Sequence, residues 1–199
     1  MQEKNSITQF TDKYEFTNPI TKKLLENFFK RIVSLCPKKV DKVLEVGCGA
    51  GYSTKILFEH LAPSLFHASD IDPELVYLAK KRVPLAETAT ESIYKLPHQD
   101  NSFNLVFTLE VMEHLEHPLD ALKEIKRVTD KFAIISVPHE PIWRILNMAR
   151  GKYITHLGNT PGHINHWSKR SFKKFLEQEF TVREIKTSLP WLIGFVEKK

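Results

Sequence analysis

The stretch VLEVGCGAGYST, from Val43 to Thr54, decides the fold of this chain. Three of its first four residues, at 43–46, are apolar and two of them are β-branched, as expected of a strand that is buried on both faces. Residues 52–61 predict a helix with Ile56, Leu57 and the pair His60-Leu61 on one side. Three of the seven glycines stand between them: Gly47, Gly49 and Gly51. A strand, a glycine-rich turn and a helix form a cradle in which backbone N–H groups can approach a ligand.

The spacing of the glycines narrows the choice of ligand. A phosphate loop needs a glycine and a lysine before a hydroxyl residue, whereas Lys55 follows Ser53 and Thr54. A dinucleotide fingerprint needs a last glycine where Tyr52 stands. Glu45, two positions before the first glycine, suits a cationic ligand better than a pyrophosphate. These residues leave S-adenosylmethionine as the predicted ligand.

Length and composition indicate one globular domain. The chain has 199 residues, of which 42% are hydrophobic and 27% charged, as is ordinary for such domains. Cys36 and Cys48 are too few for a disulfide framework, and we expect reduced thiols in a cytoplasmic protein. The N-terminus shows no secretory signal, and no apolar run approaches the roughly 20 residues of a membrane span.

The net charge of +5 raises the question of whether the protein binds nucleic acid. The lysines are scattered and have acids nearby, so a solvated basic surface is favoured over a nucleic-acid footprint. An anionic substrate is a third explanation.

Strand and helix patterns alternate between residues 40 and 137, which predicts a parallel sheet with helices on both faces. Asp72 and Pro73 are typical of a helix start. The predicted strands cover residues 43–46, 65–69, 87–91, 103–108 and 132–137, and the helices cover 19–35, 52–61, 73–82 and 118–129.

Residues 138–167 interrupt this rhythm and predict a functional insertion with short helices of its own. A helix at 168–179 and an antiparallel pair at 180–188 and 191–197 close the chain. We therefore expect a single domain over residues 1–199. Its predicted parts are an N-terminal helical cap at 1–38, a cofactor-binding core at 40–137, a lid at 138–167, and a helix with a strand pair at 168–199.

Four motifs in order resemble the class I S-adenosylmethionine-dependent methyltransferases, in particular the type 11 group that includes enzymes of ubiquinone and menaquinone biosynthesis. They are the stretch from Glu45 to Gly51, Asp70 at the end of the second strand, the LPHQDNSF segment at 96–103, and EVMEHL at 110–115. The resemblance spans roughly residues 40–137. It implies a doubly wound, mostly parallel, seven-stranded Rossmann-like sheet whose last strand is antiparallel.

The resemblance also implies a cofactor site. Asp70 would accept both ribose hydroxyls, and Ile71 and Ile93 would sandwich the adenine. Ser92 would accept a bond from the adenine amine, where the family more often has an aspartate. Tyr14 would either fold over the cofactor or pack the N-terminal arm. The predicted cofactor-binding residues are Tyr14, Glu45, Gly47, Cys48, Gly49, Gly51, Ser53, Asp70, Ile71, Asp72, Ser92, Ile93, Thr108 and Leu109.

Methyl transfer from a sulfonium is an in-line displacement, in which the protein aligns the acceptor and excludes water. A base is needed only if the acceptor loses a proton. Glu110, Glu113, His114, His139 and Glu140 follow the ends of the fourth and fifth strands. We select His114 and His139 as catalytic candidates, although His114 could equally bond a nearby loop.

A metal is the alternative use of these side chains. Glu110, Glu113 and His114 would share one face if the segment is helical, and His163 or His166 would complete a set of two carboxylates and two histidines. Many type 11 enzymes carry the same EHL sequence without a metal, so we expect none.

The insertion should line the acceptor pocket. Its apolar faces are Trp143, Tyr153 and Trp167, and its cations are Arg144, Arg150 and Lys152. The aromatic residues could instead only anchor the insertion. We predict methyl transfer to a small molecule, aromatic or anionic, at oxygen, by a monomer or homodimer without a nucleic-acid partner. The alternatives are an RNA methyltransferase, which needs a continuous basic surface, and a binding protein without catalysis.

Overall fold

A computed structural model describes residues 19–149, 151 and 153–199 of the chain. Helices and strands alternate through the first two thirds, as the sequence predicts. The helices are α1 (Pro19–Val33), α2 (Tyr52–Leu61), α3 (Pro73–Arg82), α4 (Pro118–Val128), α5 (Ile142–Ala149) and α6 (Lys169–Leu176). The strands are β1 (Lys42–Val46), β2 (Leu65–Asp70), β3 (Glu87–Thr90), β4 (Phe103–Leu109), β5 (Thr129–Pro138), β6 (Phe180–Ser188) and β7 (Trp191–Lys198).

The seven strands form one sheet in the order β3-β2-β1-β4-β5-β7-β6. The first five run parallel, and β7 pairs antiparallel with both β5 and β6. The predicted sheet, with its last strand antiparallel, is confirmed. Because the strand order reverses between β1 and β4, the loops on the two sides of this point diverge and leave a crevice at the carboxyl edge.

Each face of the sheet has its own apolar core. Adjacent residues of β1 supply opposite faces: Val43 belongs to one core and Leu44 to the other. Helices α1, α2 and α3 pack over the Val43 face, and α4 and α6 pack over the Leu44 face. The helices therefore cover both faces, as predicted.

The predicted face of α2 is confirmed at Leu57 and wrong at Ile56 and His60. Ile56 is 36% exposed and His60 is exposed, whereas Ser53, Thr54 and Leu57 are buried. The side chain of Thr54 bonds Glu45 of β1 beneath the helix. A polar contact thus occupies part of the inward face, and a pattern based on apolar residues alone cannot find it.

Several element ends differ from the sequence prediction by a few residues. β5 begins at Thr129 and follows α4 directly. The predicted strand began at 132, because Asp130 and Lys131 are exposed and lack an apolar pattern. α1 and α6 end earlier than predicted, at Val33 and Leu176.

Residues 138–167 contain the predicted short helices, α5 and a single turn at Ile154–His156. The end of this insertion folds back onto the turn Met112–His114 that follows β4. Asn165 donates from its side chain to the carbonyls of Met112 and Leu115, at 3.2 and 2.6 Å. Within the described ranges, no helix combines the length and apolarity needed to cross a membrane.

Candidate functional site

A cavity of about 420 Å³ opens at the carboxyl edge of the sheet. Its walls come from the segments that follow β1, β2, β3 and β4, where the motifs of the sequence lie. The predicted residues that line it are Gly47, Cys48, Gly49, Ser53, Asp70, Ile71, Asp72, Ser92, Ile93, Leu109 and His114. The edge of the sheet therefore brings together most of the predicted cofactor residues.

Backbone hydrogen bonds fasten the glycine turn to β2. The N–H groups of Gly47 and Cys48 both donate to the carbonyl of Ser69, at 2.8 and 2.9 Å. Gly47 has a φ of +80°, and a Cβ there would lie 2.3 Å from Cγ2 of Val111. Gly49 has a φ of +53° with nothing within 4 Å of the place of a Cβ. The absence of a side chain at Gly47 therefore lets the turn approach Val111 in the loop after β4, and its absence at Gly49 leaves open space over the turn.

Gly51 has another role. It does not line the cavity, and a Cβ there would lie 2.7 Å from Cα of Ala79 in α3. Its missing side chain lets α2 pack against α3. In a dinucleotide turn the last glycine also serves close packing, so the residue predicted to approach the ligand instead serves the scaffold.

Arg82 supports the turn from behind, and sequence reasoning missed it. Its guanidinium lies 3.5 Å from the ring centre of Tyr52 and donates to the carbonyl of Ala50. The cation at the end of α3 thus fixes both the loop and the start of α2. The only sequence signal was a basic residue in a last helical turn, which is common on any helix.

Asp70 and Asp72 have separate roles. Asp72 accepts from the N–H of Glu74 at 2.8 Å and caps α3, as predicted. Asp70 accepts from the N–H of Gly49 at 2.8 Å and from that of Asp72 at 3.1 Å. Burial raises the pKa of Asp70, and the backbone bonds oppose that rise. Each carboxylate oxygen has a second lone pair, so Asp70 can hold the turn and still accept ribose hydroxyls.

Glu45 lies beneath the turn and does not line the cavity. Its Oε2 accepts from the hydroxyl of Thr54 at 2.6 Å. Burial raises the pKa of Glu45 to about 7, against the effect of the Ser53 and Thr54 hydroxyls. The carboxyl is therefore poised between its neutral and charged forms near neutrality, and a nearby cation would favour the charged form.

Two isoleucines supply the apolar walls predicted for the adenine. Ile71 is 69% exposed and Ile93 is buried, and both line the cavity. Thr108 is fully buried and lies outside the cavity wall. Burial raises the pKa of Cys48, so its thiol is an inert part of the wall. Tyr14 lies outside the described residues.

The segment after β4 leads from the cofactor end to the acceptor end. Glu110 has a φ of +59° and is fastened to β5, because the Ser136 hydroxyl donates to its carboxylate at 3.1 Å. His114 lines the cavity, and its Nδ1 lies 3.0 Å from the carbonyl of Gly162. A carbonyl can only accept, so the neutral ring carries its proton on Nδ1 and its lone pair on Nε2.

The insertion brings His163 to the same place. The rings of His114 and His163 lie edge to face with centres 4.9 Å apart, and Trp143 stacks on His163 at 5.8 Å. One ligand atom from each of Glu113, His114 and His163 lies within 4.8 Å of the others. Three residues of the hypothetical metal site therefore converge.

The other two residues of that hypothesis do not join the group, although Glu110 also lines the cavity. Glu110 is not part of the converging group, because the segment is a short 3₁₀ turn at Met112–His114 instead of an α-helix. His166 is bonded through Nε2 to the side chain of Asn159.

His139, the second catalytic candidate, lies outside the cavity wall. It pairs with Trp167, its N–H donates to the carbonyl of Pro190, and burial lowers its pKa. Trp167 packs on Phe172 and Phe175 of α6, which agrees with the anchoring role considered for the insertion's aromatic residues. Arg150 and Lys152 lie outside the described residues.

The comparisons with known proteins agree with this geometry. Residues 44–136 match the methyltransferase domain family. An uncharacterized methyltransferase of Schizosaccharomyces pombe is 31% identical over an alignment of 137 positions, which covers 60% of this chain and 49% of that protein. A malonyl-[acyl-carrier protein] O-methyltransferase of Halorhodospira halophila is 26% identical over 63% of this chain and 43% of that protein. The chain thus spans about half the length of these curated relatives.

The fold is also that of a solved methyltransferase. An S-adenosylmethionine-dependent methyltransferase of Aquifex aeolicus superposes with a TM-score of 0.75 over 98% of both chains, at 19% identity. The motifs, the sheet order and these matches confirm the predicted family and its cofactor, S-adenosylmethionine. Over residues 44–136, the chain is similar to the type 11 group of the class I S-adenosylmethionine-dependent methyltransferases.

Proposed function

We propose that the protein transfers the methyl group of S-adenosylmethionine to a hydroxyl oxygen of a small molecule. The observation that carries this proposal is the cavity itself, which has the Asp70 carboxylate toward its cofactor end and the His114 imidazole toward the insertion. The carboxylate can accept the ribose hydroxyls of the cofactor, and the neutral imidazole can accept the proton that a hydroxyl acceptor loses.

In the proposed reaction the acceptor oxygen attacks the methyl carbon in line with the carbon–sulfur bond. The oxygen–carbon bond forms as the carbon–sulfur bond breaks, and the sulfonium leaves as a neutral thioether. The acceptor's proton passes to Nε2 of His114, whose Nδ1–H is oriented by the carbonyl of Gly162. Glu113 is buried close to His114, and its negative charge would favour the charged imidazolium form of that ring.

The distribution of charge favours a small acceptor over RNA. Basic side chains on the described surface often pair with acids: Lys126 with Glu179 at 2.9 Å, and Arg127 with Glu124 at 2.7 Å. These pairs neutralise part of the basic charge, which supports a solvated basic surface over the continuous one that an RNA substrate would require. The Halorhodospira halophila relative is named as an O-methyltransferase, which supports oxygen as the acceptor atom. A cytoplasmic location stays a prediction.

A two-stage experiment tests the proposal. Calorimetry should show micromolar binding of S-adenosylmethionine and no binding of NAD, because the turn lacks the last glycine of a dinucleotide site. Release of S-adenosylhomocysteine is then measured with a panel of hydroxylated aromatic and anionic acceptors, and with RNA. Binding without turnover on any acceptor would favour the non-catalytic alternative, and turnover on RNA alone would overturn the small-molecule assignment.

A further inference from the structure

A second group of chemically active side chains lies behind the adenine end of the cavity. His67 belongs to β2, Glu91 follows β3, and His98 lies in the loop before β4. Nε2 of His67 is 3.0 Å from Oε1 of Glu91, and Nε2 of His98 is 3.2 Å from Oε2. One ligand atom from each residue lies within 4.8 Å of the others.

We propose that His67, Glu91 and His98 bind a divalent transition-metal ion, with zinc as the expected occupant. Two imidazole nitrogens and a carboxylate oxygen form a three-ligand set that zinc accepts, with water as a fourth ligand. Bonds of about 2.0–2.1 Å place neighbouring ligands of a tetrahedral ion about 3.3 Å apart. The observed nitrogen–oxygen separations of 3.0 and 3.2 Å are close to that spacing.

The surroundings hold both imidazoles in orientations that suit an ion. Oε2 of Glu87 lies 3.6 Å from Nδ1 of His67, on the side of the ring away from the site. A carboxylate in this position commonly orients a metal-binding histidine. The ring of His98 lies edge-on to those of His67 and Phe103, with centres 4.7 and 4.9 Å apart. The side chains of His67, Glu91 and His98 are only 11%, 6% and 16% exposed, so little rotational freedom remains to be lost.

Protons compete for the same atoms. Burial opposes the charge on His67, but Glu91 and Glu87 outweigh burial and raise the pKa of that ring. Burial lowers the pKa of His98, with smaller effects in the same direction from His67 and Arg127. Its Nε2 faces Oε2 of Glu91, and a carboxylate oxygen can only accept, so this nitrogen carries the proton of the neutral ring. The ion must therefore displace the Nε2 protons of both imidazoles.

The place of the site indicates a structural role. The ion would join β2, the end of β3 and the loop before β4. The segment at Glu91 lines the cofactor cavity, and its N–H donates to the carbonyl of Asp70 at 2.9 Å. Bound metal should therefore stabilise the adenine end of the cavity without entering the reaction.

Cobalt(II) provides the test, because its visible absorption reports its ligands. The full chain is treated with chelator and titrated with Co²⁺. We expect a 1:1 complex that His98→Asn removes and His163→Asn retains, since His163 belongs to the other histidine–carboxylate group. Glu87→Gln should weaken Co²⁺ binding by about tenfold. No 1:1 complex at millimolar Co²⁺, or a complex lost in His163→Asn and kept in His98→Asn, would overturn the proposal.

A measurement on the unaltered chain decides the matter even if a variant fails to fold. Zn²⁺ should protect His67 and His98 from diethylpyrocarbonate labelling while His139 and His166 label at unchanged rates. Equal labelling with and without Zn²⁺ contradicts the site. Neither measurement requires turnover, so a chain that binds metal but transfers no methyl group would refute only the proposed reaction.

Discussion

The two ends of the cavity are built in opposite ways. At the cofactor end, contacts join residues close in the chain: Glu45 meets Thr54 across 9 positions, and Asp70 meets Gly49 across 21. At the acceptor end, His114 meets Gly162 across 48 positions, and Asn165 meets Met112 across 53. The cofactor end is therefore specified by one βαβ unit, whereas the acceptor end exists only when the insertion docks.

The largest expected effect separates the two ends directly. His114→Asn should lower turnover by roughly 100-fold or more, because a general base contributes about 10²–10⁴. Cofactor affinity should not change, since His114 acts on the acceptor. The measurement is S-adenosylhomocysteine release at saturating cofactor, together with calorimetry.

His139→Asn is the matched control for that variant. Because His139 lies outside the cavity wall, we expect a loss of less than about tenfold. An equal loss in both variants would place both histidines in the reaction. A parallel loss of cofactor affinity in His114→Asn would remove the distinction between the ends.

The second prediction concerns pH at the cofactor end. The pKa of Glu45 is raised from 4.5 to about 7, so its favourable contribution to folding is present below pH 4.5 and is lost as pH rises to about 7. A shift of this size corresponds to about 3 kcal/mol. Unfolding of the unliganded chain is measured between about pH 5 and pH 8. As the pH rises through this range, Glu45→Gln should gain stability relative to the unaltered chain.

Cofactor binding adds a second readout for Glu45. A cationic ligand favours the charged carboxylate, so affinity should rise with pH toward about 7 and flatten above it. Glu45→Gln should lose this dependence. Parallel pH curves for the two chains would show that Glu45 does not ionise in this range.

The third prediction compares two neighbouring aspartates. Asp70→Ala should weaken cofactor binding by about 1–3 kcal/mol, because charge-assisted bonds to the ligand are lost. It also releases the N–H of Gly49, so a small loss of thermal stability is expected as well. Calorimetry and thermal unfolding measure the two effects.

Asp72→Ala provides the control within the same loop. It removes the cap of α3 and should lower the free energy of unfolding by about 1 kcal/mol with little change in cofactor affinity. If Asp70→Ala binds normally but unfolds much earlier, its carboxylate serves the turn alone.

The smallest expected effect tests whether the insertion acts as a lid. Cleavage within residues 138–167 should occur in the free protein and slow when cofactor and acceptor are bound, because ordered segments resist proteases. Arg144→Ala should lower activity and leave cofactor affinity unchanged. Cleavage that ligands do not alter would make the insertion a fixed part of the scaffold.

The sequence was most informative where the role of a residue depends only on its neighbours along the chain. The positive φ of Gly47 and Gly49 and the capping by Asp72 follow from chain geometry over a few positions. The predicted face of α2 was wrong at Ile56, because the contact between Glu45 and Thr54 sets which side turns inward. Gly51 also has a positive φ, but this glycine serves the packing of α2 against Ala79 of the next helix and does not contact the ligand site.

By itself, the sequence determined the alternation of strands and helices, the parallel sheet and the cofactor edge, because periodicity and motif spacing act within single βαβ units. Only the tertiary structure decided which histidines meet. It paired His163 with His114, and it gathered His67 and His98 around Glu91. Those contacts depend on how separate segments pack across the sheet, and no periodic pattern along the chain records that packing.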